Sequence, residues 1–109
     1  MTPRFRVEWT DAASTDLANI IAFIAKDSLV NASKIYRKIR KKALTLHTFP
    51  NRGHVVPELA ELDVVSYREV LTPPYRIVYR IEKSIVLVLA VLDGRRDLRE
   101  ILAERLLRP

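Results

Sequence analysis

The hydrophobic period of this chain changes twice along its length, and that narrows the folds open to it. Phe5, Val7 and Trp9 alternate with Arg4, Arg6 and Glu8, the period of two of a half-buried strand. Ala13, Leu17, Ile20, Ile21 and Ile24 then recur at helical spacing. So do Ala32, Ile35, Ile39, Ala43 and Leu46, with Tyr36 and Leu44 flanking that stripe. The period of two returns where Tyr75, Ile77, Tyr79 and Ile81 face one side and Arg76, Val78 and Arg80 the other. A strand, a pair of helices and a run of strands predict an α+β domain. Its single sheet needs its apolar face covered, and a helix hairpin supplies the cover.

Local signals set the boundaries. Thr10 is placed to cap a first helix from about Asp11 to Lys26, with Asp11 in its favourable first turn. Asp27 and Ser28 interrupt the pattern and offer a second cap, and the second helix continues to about Thr48 before Phe49-Pro50 ends it. Few residues join the two helices, so they form an antiparallel hairpin. Asn51 to Gly53 reads as a turn in which Gly53 supplies a positive φ. His54 to Leu62 reads as loop with a brief extended piece, and Val64 to Leu71 as a strand. Pro73-Pro74 and Glu82-Lys83 are turns. Ser84 to Leu92, the most apolar and β-branched run, is the expected central strand. After Asp93-Gly94, Asp97 and Glu100 stand three apart as a capping box for a terminal helix that Leu98 and Ile101 pack against the body. The later strands pair antiparallel, and the first strand is free to lie parallel beside one of them.

The 109 residues fit one domain, 1–109, with no linker or repeat. No apolar targeting segment precedes the first strand. The longest apolar run, Ile85 to Leu92, is 8 residues, too short to cross a bilayer. A soluble, cytoplasmic protein without membrane contact is expected. The net charge of +6 is unevenly spread. Lys34 to Val56 holds seven basic residues and no acidic one, whereas Pro57 to Ser66 holds three acidic residues and no basic one. Such a patch steers a polyanion or an acidic protein, or simply keeps a helix face solvated.

Metal and cofactor chemistry find no support. Cysteine is absent, and the two histidines, His47 and His54, have no ligand spacing with Glu58, Glu61 or Asp63. Two glycines, Gly53 and Gly94, make no phosphate loop, and no nucleophile elbow occurs. Metal-free phosphodiester cleavage needs a base, an acid and cations. Arg52, Arg68, Arg76, Arg80, Arg95 and Arg96 are candidate cations, and His54, Tyr67, Tyr75 and Tyr79 candidate proton carriers. Tyr75 and Tyr79 also fit a core stripe, His54 a loop hydrogen bond, and Arg76 and Arg80 a wet strand face. Arg95-Arg96, at a strand end beside Gly94, is the best single candidate, although Arg96 also has Asp97 or Glu69 as conceivable ion-pair partners. Sheet edges and the groove beside the hairpin are natural docking surfaces. Leu98, Leu102 and Leu106 form either a stripe open to a partner or plain core.

Seven segments, in this order and spacing, resemble the ParE/RelE superfamily of toxins from bacterial toxin–antitoxin, or plasmid-stabilisation, modules. They are V-E-W-T and the following A-A at Val7 to Ala13, D-L-A-N-I-I-A-F-I-A at Asp16 to Ala25, F-P-N-R-G at Phe49 to Gly53, V-P-E-L at Val56 to Leu59, Y-R-E-V-L at Tyr67 to Leu71, Y-R-I-V-Y-R-I at Tyr75 to Ile81 and V-L-A-V-L-D-G-R-R-D-L at Val88 to Leu98. The resemblance implies a helix hairpin on a small, mainly antiparallel sheet with a short C-terminal helix. It implies a cognate antitoxin that wraps the toxin and carries the complex to operator DNA. It also implies one of two targets, DNA gyrase with its bound DNA for ParE-type toxins or ribosome-bound messenger RNA for RelE-type nucleases. The nuclease pattern places lysines and arginines across the sheet and a tyrosine in the last helix. Here Ile101 stands at the tyrosine's place, Arg95 to Pro109 holds neither tyrosine nor histidine, and no lysine lies between Lys42 and Lys83. D-G-R-R-D-L is also more similar to the ParE branch. The resemblance thus implies a gyrase inhibitor with no catalytic residue. Its target-binding candidates are Arg68, Arg76, Arg80, Arg95 and Arg96, and its antitoxin-binding candidates Lys34, Lys38, Lys41, Lys42, Arg52, Leu98 and Leu102. A ribosome-dependent endoribonuclease and an antitoxin-binding protein of weak or lost toxicity are the alternatives.

Overall fold

The computed structural model describes residues 4–107, so the two ends of the 1–109 domain reading lie outside them. Strand β1 (Arg6–Trp9) leads into helices α1 (Asp11–Ala25) and α2 (Leu29–Leu44), and the short strand β2 (His54–Val55) into a one-turn helix α3 (Pro57–Ala60). Strands β3 (Tyr67–Thr72), β4 (Tyr75–Glu82) and β5 (Ile85–Asp93) and helix α4 (Arg99–Leu106) complete the chain. The sheet order is β1-β5-β4-β3-β2. β1 runs parallel to β5, with Val7 opposite Val86, and every other pair is antiparallel. β5 is therefore interior, but β4 holds the middle.

Both helix caps form where the sequence places them. The Thr10 hydroxyl accepts from the Ala13 N–H at 3.1 Å and the Ser28 hydroxyl from Asn31 N–H at 3.1 Å. A 3-10 turn, Thr45–His47, carries the second helix on to its end before Phe49-Pro50. The hairpin lays Ala13, Leu17, Ile39, Ala43 and Leu46 on one face of the sheet, against Val70, Ile77, Tyr79, Val86 and Val88. Ile39, Leu46 and Ile77 are fully buried, each worth roughly 1.5–3 kcal/mol of transfer free energy.

The other face is covered as well, which the hydrophobic pattern did not require. Val56, Leu59, Leu98 and Leu102 from the α3 and α4 regions close over Tyr67, Val78, Ala90 and Leu92. β5 faces both cores, and a shift in register changes which of its residues meet each: Val78 pairs with Ala90 but Tyr79 with Val88, leaving Leu89 as an extra residue, so that Val86, Val88 and Val91 join the first core and Ala90 and Leu92 the second. Asp16 of α1 stitches this region together. It accepts the Val91 N–H at 3.0 Å and both Arg105 Nη groups of α4 at 2.6 and 3.0 Å.

Three local expectations need correction. Gly53 does not have a positive φ; positive values fall at Asp63 and Lys83 instead. The glycine is there for room, since a Cβ would stand 2.5 Å from the Glu69 carbonyl oxygen and 2.6 Å from the Tyr79 hydroxyl. The segment read as loop after His54 contains α3, which Pro57 starts at its first turn. The capping box of α4 does not close. Asp97 accepts the Arg99 N–H at 3.2 Å, but the helix begins after Leu98, which offers no side-chain cap.

Candidate functional site

The candidate arginines divide by what holds them. Arg76 lies in a network that no local motif announces. Its two Nη groups donate to both oxygens of Glu58 at 2.7 Å, and its Nε donates to Glu69 at 2.6 Å. The other Glu69 oxygen stands 2.6 Å from His54 Nε2. The Arg76 and Glu69 side chains are only 12% and 4% exposed. The guanidinium lowers the Glu58 carboxyl below its ordinary range, against the opposing effect of burial, and the two carboxylates raise Arg76 further above its own. Arg76 is thus a largely buried cation held between two carboxylates. Arg80 is shared between Glu82 and the Tyr67 ring, 5.7 Å away. Arg68 donates to the Gly53 carbonyl at 2.7 Å.

Among the candidate proton carriers, Tyr79 is sealed in the core. Its hydroxyl donates to the Pro50 carbonyl at 2.7 Å and accepts the Gly53 N–H at 3.1 Å, and burial raises its pKa. It is a pillar under the Pro50–Gly53 turn. Tyr75 is buried at 8% exposure, and Tyr67 donates to the Leu106 carbonyl.

The Arg95-Arg96 corner is different. Gly94 seats it, donating to the Pro74 carbonyl at 2.7 Å with no room for a side chain beyond. Arg95 folds back on Asp93, donating to its two oxygens at 3.0 and 2.7 Å, and holds that carboxyl low. Arg96 is exposed and its guanidinium has no ion-pair or hydrogen-bond partner among the described residues. Neither Asp97 nor Glu69 engages it. It stands between a cleft of about 370 Å³ bordered by Glu58, Arg76 and Arg99 and one of about 440 Å³ bordered by Ile20, Phe23 and Arg95. Phe23, Leu29 and Val30, at the hairpin tip, are 71%, 76% and 65% exposed, an apolar patch that the helical pattern did not single out.

The antitoxin-binding candidates separate too. Leu98 and Leu102 are each 1% exposed; the open stripe is closed by the protein's own core, and of the three leucines only Leu106 stays partly accessible. Lys34 is exposed, and Lys38, Lys41, Lys42 and Arg52 border a groove of about 420 Å³ between α2 and the end of β3. No cluster of metal-ligating side chains and no helix long and apolar enough to cross a membrane occurs among the described residues.

Residues 7–98 match the family described as the ParE toxin of the type II toxin–antitoxin system, parDE. No curated protein matches the sequence. The solved structures that share the fold include the following two. A chain of the chromosomal ParDE system from P. aeruginosa is 21% identical, with 81% of this chain and 94% of that one covered at a TM-score of 0.65. A chain of the RelBE2 toxin–antitoxin complex from Mycobacterium tuberculosis is 21% identical, with 85% and 94% covered at 0.60. Fold likeness thus reaches both branches, while the sequence match falls on one: the chain belongs to the ParE toxin family of type II toxin–antitoxin systems.

Proposed function

We propose that this toxin inhibits DNA gyrase by binding it, without catalysis, and that a cognate antitoxin neutralises it. The observation that carries the reading is how the sheet's arginines are spent. A nuclease of this fold needs cations free to hold a phosphate and a group beside them to move a proton. Here Arg76 and Arg80 are held by carboxylates, Arg68 by a carbonyl, and the Tyr79 phenol is sealed. Arg96, a guanidinium without such a partner among the described residues, borders the same cleft as exposed Phe23 and part-buried Ile20 and Ile24, a combination suited to a protein surface. The two solved structures described above belong to toxin–antitoxin systems, which supports an antitoxin partner for this chain.

A supercoiling assay with purified gyrase tests this. Toxin in excess is expected to inhibit supercoiling and trap cleaved DNA. Arg96→Ala is expected to weaken inhibition by about tenfold, the value of one well-placed interfacial arginine, without lowering the melting temperature. Unimpeded supercoiling would sink the proposal. Transcripts cut at ribosomes after toxin induction would replace it with the endoribonuclease reading. Normal growth on induction would leave an antitoxin-binding protein alone.

A further inference from the structure

A basic groove lies between α2 and the end of β3. Lys38, Lys41 and Lys42 project from α2 at spacings of three and four, so they share one side of the helix. Arg52 reaches the same groove from the turn after the helix. None of the four has an ion-pair partner among the described residues. Like charges at these spacings repel, at a few tenths of a kcal/mol per pair. Lys41 and Lys42 stand in the last turn of α2, where the helix dipole favours cations, but that does not account for Lys38 and Arg52 beside them, and the group as a whole suits an anion from outside.

The floor narrows what kind of anion. Leu71, 43% exposed, and Pro73 line it, and Thr72, itself 8% exposed, holds a hydroxyl without a hydrogen-bond partner among the described residues. A bare polyphosphate has no use for an apolar floor. The groove presents no aromatic ring on which a base would stack. An acidic peptide with one apolar side chain satisfies both rim and floor. The chain's own acidic segment, with exposed Leu62 and Val65, has that chemistry, but a second copy would bring another net charge of +6 against the first.

We propose that this groove between α2 and β3 seats an acidic antitoxin segment whose apolar anchor lies on Leu71 and Pro73. This rests on the reading that the toxin has an antitoxin.

The probe is a fluorescein-labelled peptide of alternating Glu and Asp with one central Leu, titrated into the full-length toxin at low salt and followed by anisotropy. It is expected to bind, and K38E/K41E to weaken it by about tenfold or more, the effect of two charge reversals. Leu71→Ser is expected to weaken it by about fivefold through lost apolar contact. Both variants should melt within about 2 °C of the parent, as exposed substitutions do. The inference is overturned if the peptide does not bind or if neither variant matters. It is equally overturned if a short DNA duplex binds more tightly through the same lysines, or if the toxin alone sediments as a dimer that K38E/K41E abolishes. Co-expression with the product of the adjacent gene separates the groove from its premise. A product that captures neither toxin removes the antitoxin reading if the peptide still binds; one that captures parent and K38E/K41E equally tightly removes the groove.

Discussion

Replacing Arg76 with methionine would test whether the ion network or the apolar core governs the face under α3 and α4. The substitution keeps the stem and deletes three hydrogen bonds of 2.6–2.7 Å to two carboxylates. Glu69, 4% exposed, is left with only His54, and Glu58, 20% exposed, loses its ion partner. Breaking a buried ion pair by removing one member costs about 3–5 kcal/mol, because a charge stays buried without compensation. His54 and the partial exposure of Glu58 place this case at the lower end, about 3 kcal/mol. For a domain of this size about 4 °C is lost per kcal/mol, so the melting temperature should fall by about 12 °C. The triple variant Glu58→Gln, Glu69→Gln, Arg76→Met removes the charges together and should recover at least half of that loss, since buried ions exchanged for neutral groups of similar volume cost little. Thermal denaturation followed by circular dichroism reads both. Arg76→Met melting within about 2 °C of the parent, or a triple variant no better than the single one, would refute the reasoning.

Two further perturbations follow from the same neighbourhood. Gly53→Ala has no φ penalty to meet, so its cost is steric: the new methyl would enter space held by the Glu69 carbonyl and the Tyr79 hydroxyl. A loss of about 1–3 kcal/mol in a urea melt is expected, and an unchanged midpoint would show that the turn moves freely. Glu58 makes stability depend on acid. Its folded pKa lies below the ordinary 4.5, so its contribution is complete above that value and fades as pH falls through the folded one. The stability gap between the parent and Glu58→Gln should therefore hold above the ordinary 4.5 and narrow as pH falls below it, and a gap that widens would contradict the assignment.

What was legible in the sequence is what repeats locally. The strand at Arg6–Trp9, both helices and the caps at Thr10 and Ser28 each follow from a period or a neighbouring side chain. α3 escaped because one turn is too short to show a period. The bulge at Leu89 escaped because β5 is apolar on both sides, so a shift in register changes nothing in its hydrophobic pattern. Leu98 and Leu102 have the same spacing whether they face a partner or the core, and the covering of the second face decides between the two. Gly53 is legible as a turn residue, but its reason lies sixteen and twenty-six positions away, at Glu69 and Tyr79. The network on Arg76 is of the same kind. Alternation along β4 places Arg76 and Val78 on one side, and the pairing of Glu69 with Val78 then brings Glu69 diagonally beside Arg76, but only once that register is known.

The molecule's charge therefore serves two separable ends, and sequence distance distinguishes them. Cations that meet their carboxylates only through tertiary structure, Arg76 with Glu58 and Glu69 and Arg105 with Asp16, join layers of the fold. Cations clustered along the chain without acids among them, Lys34 to Arg52, cannot be there for such pairing and stay on the surface. Arg96 joins the second group because its neighbour Arg95 takes up Asp93 and its other acidic neighbour, Asp97, accepts from the Arg99 backbone. A change in the first group reaches function by lowering the folded population, whereas a change in the second acts on encounter and affinity. High salt should accordingly weaken partner binding through the exposed lysines well before it loosens Arg76, whose pairing is shielded from solvent.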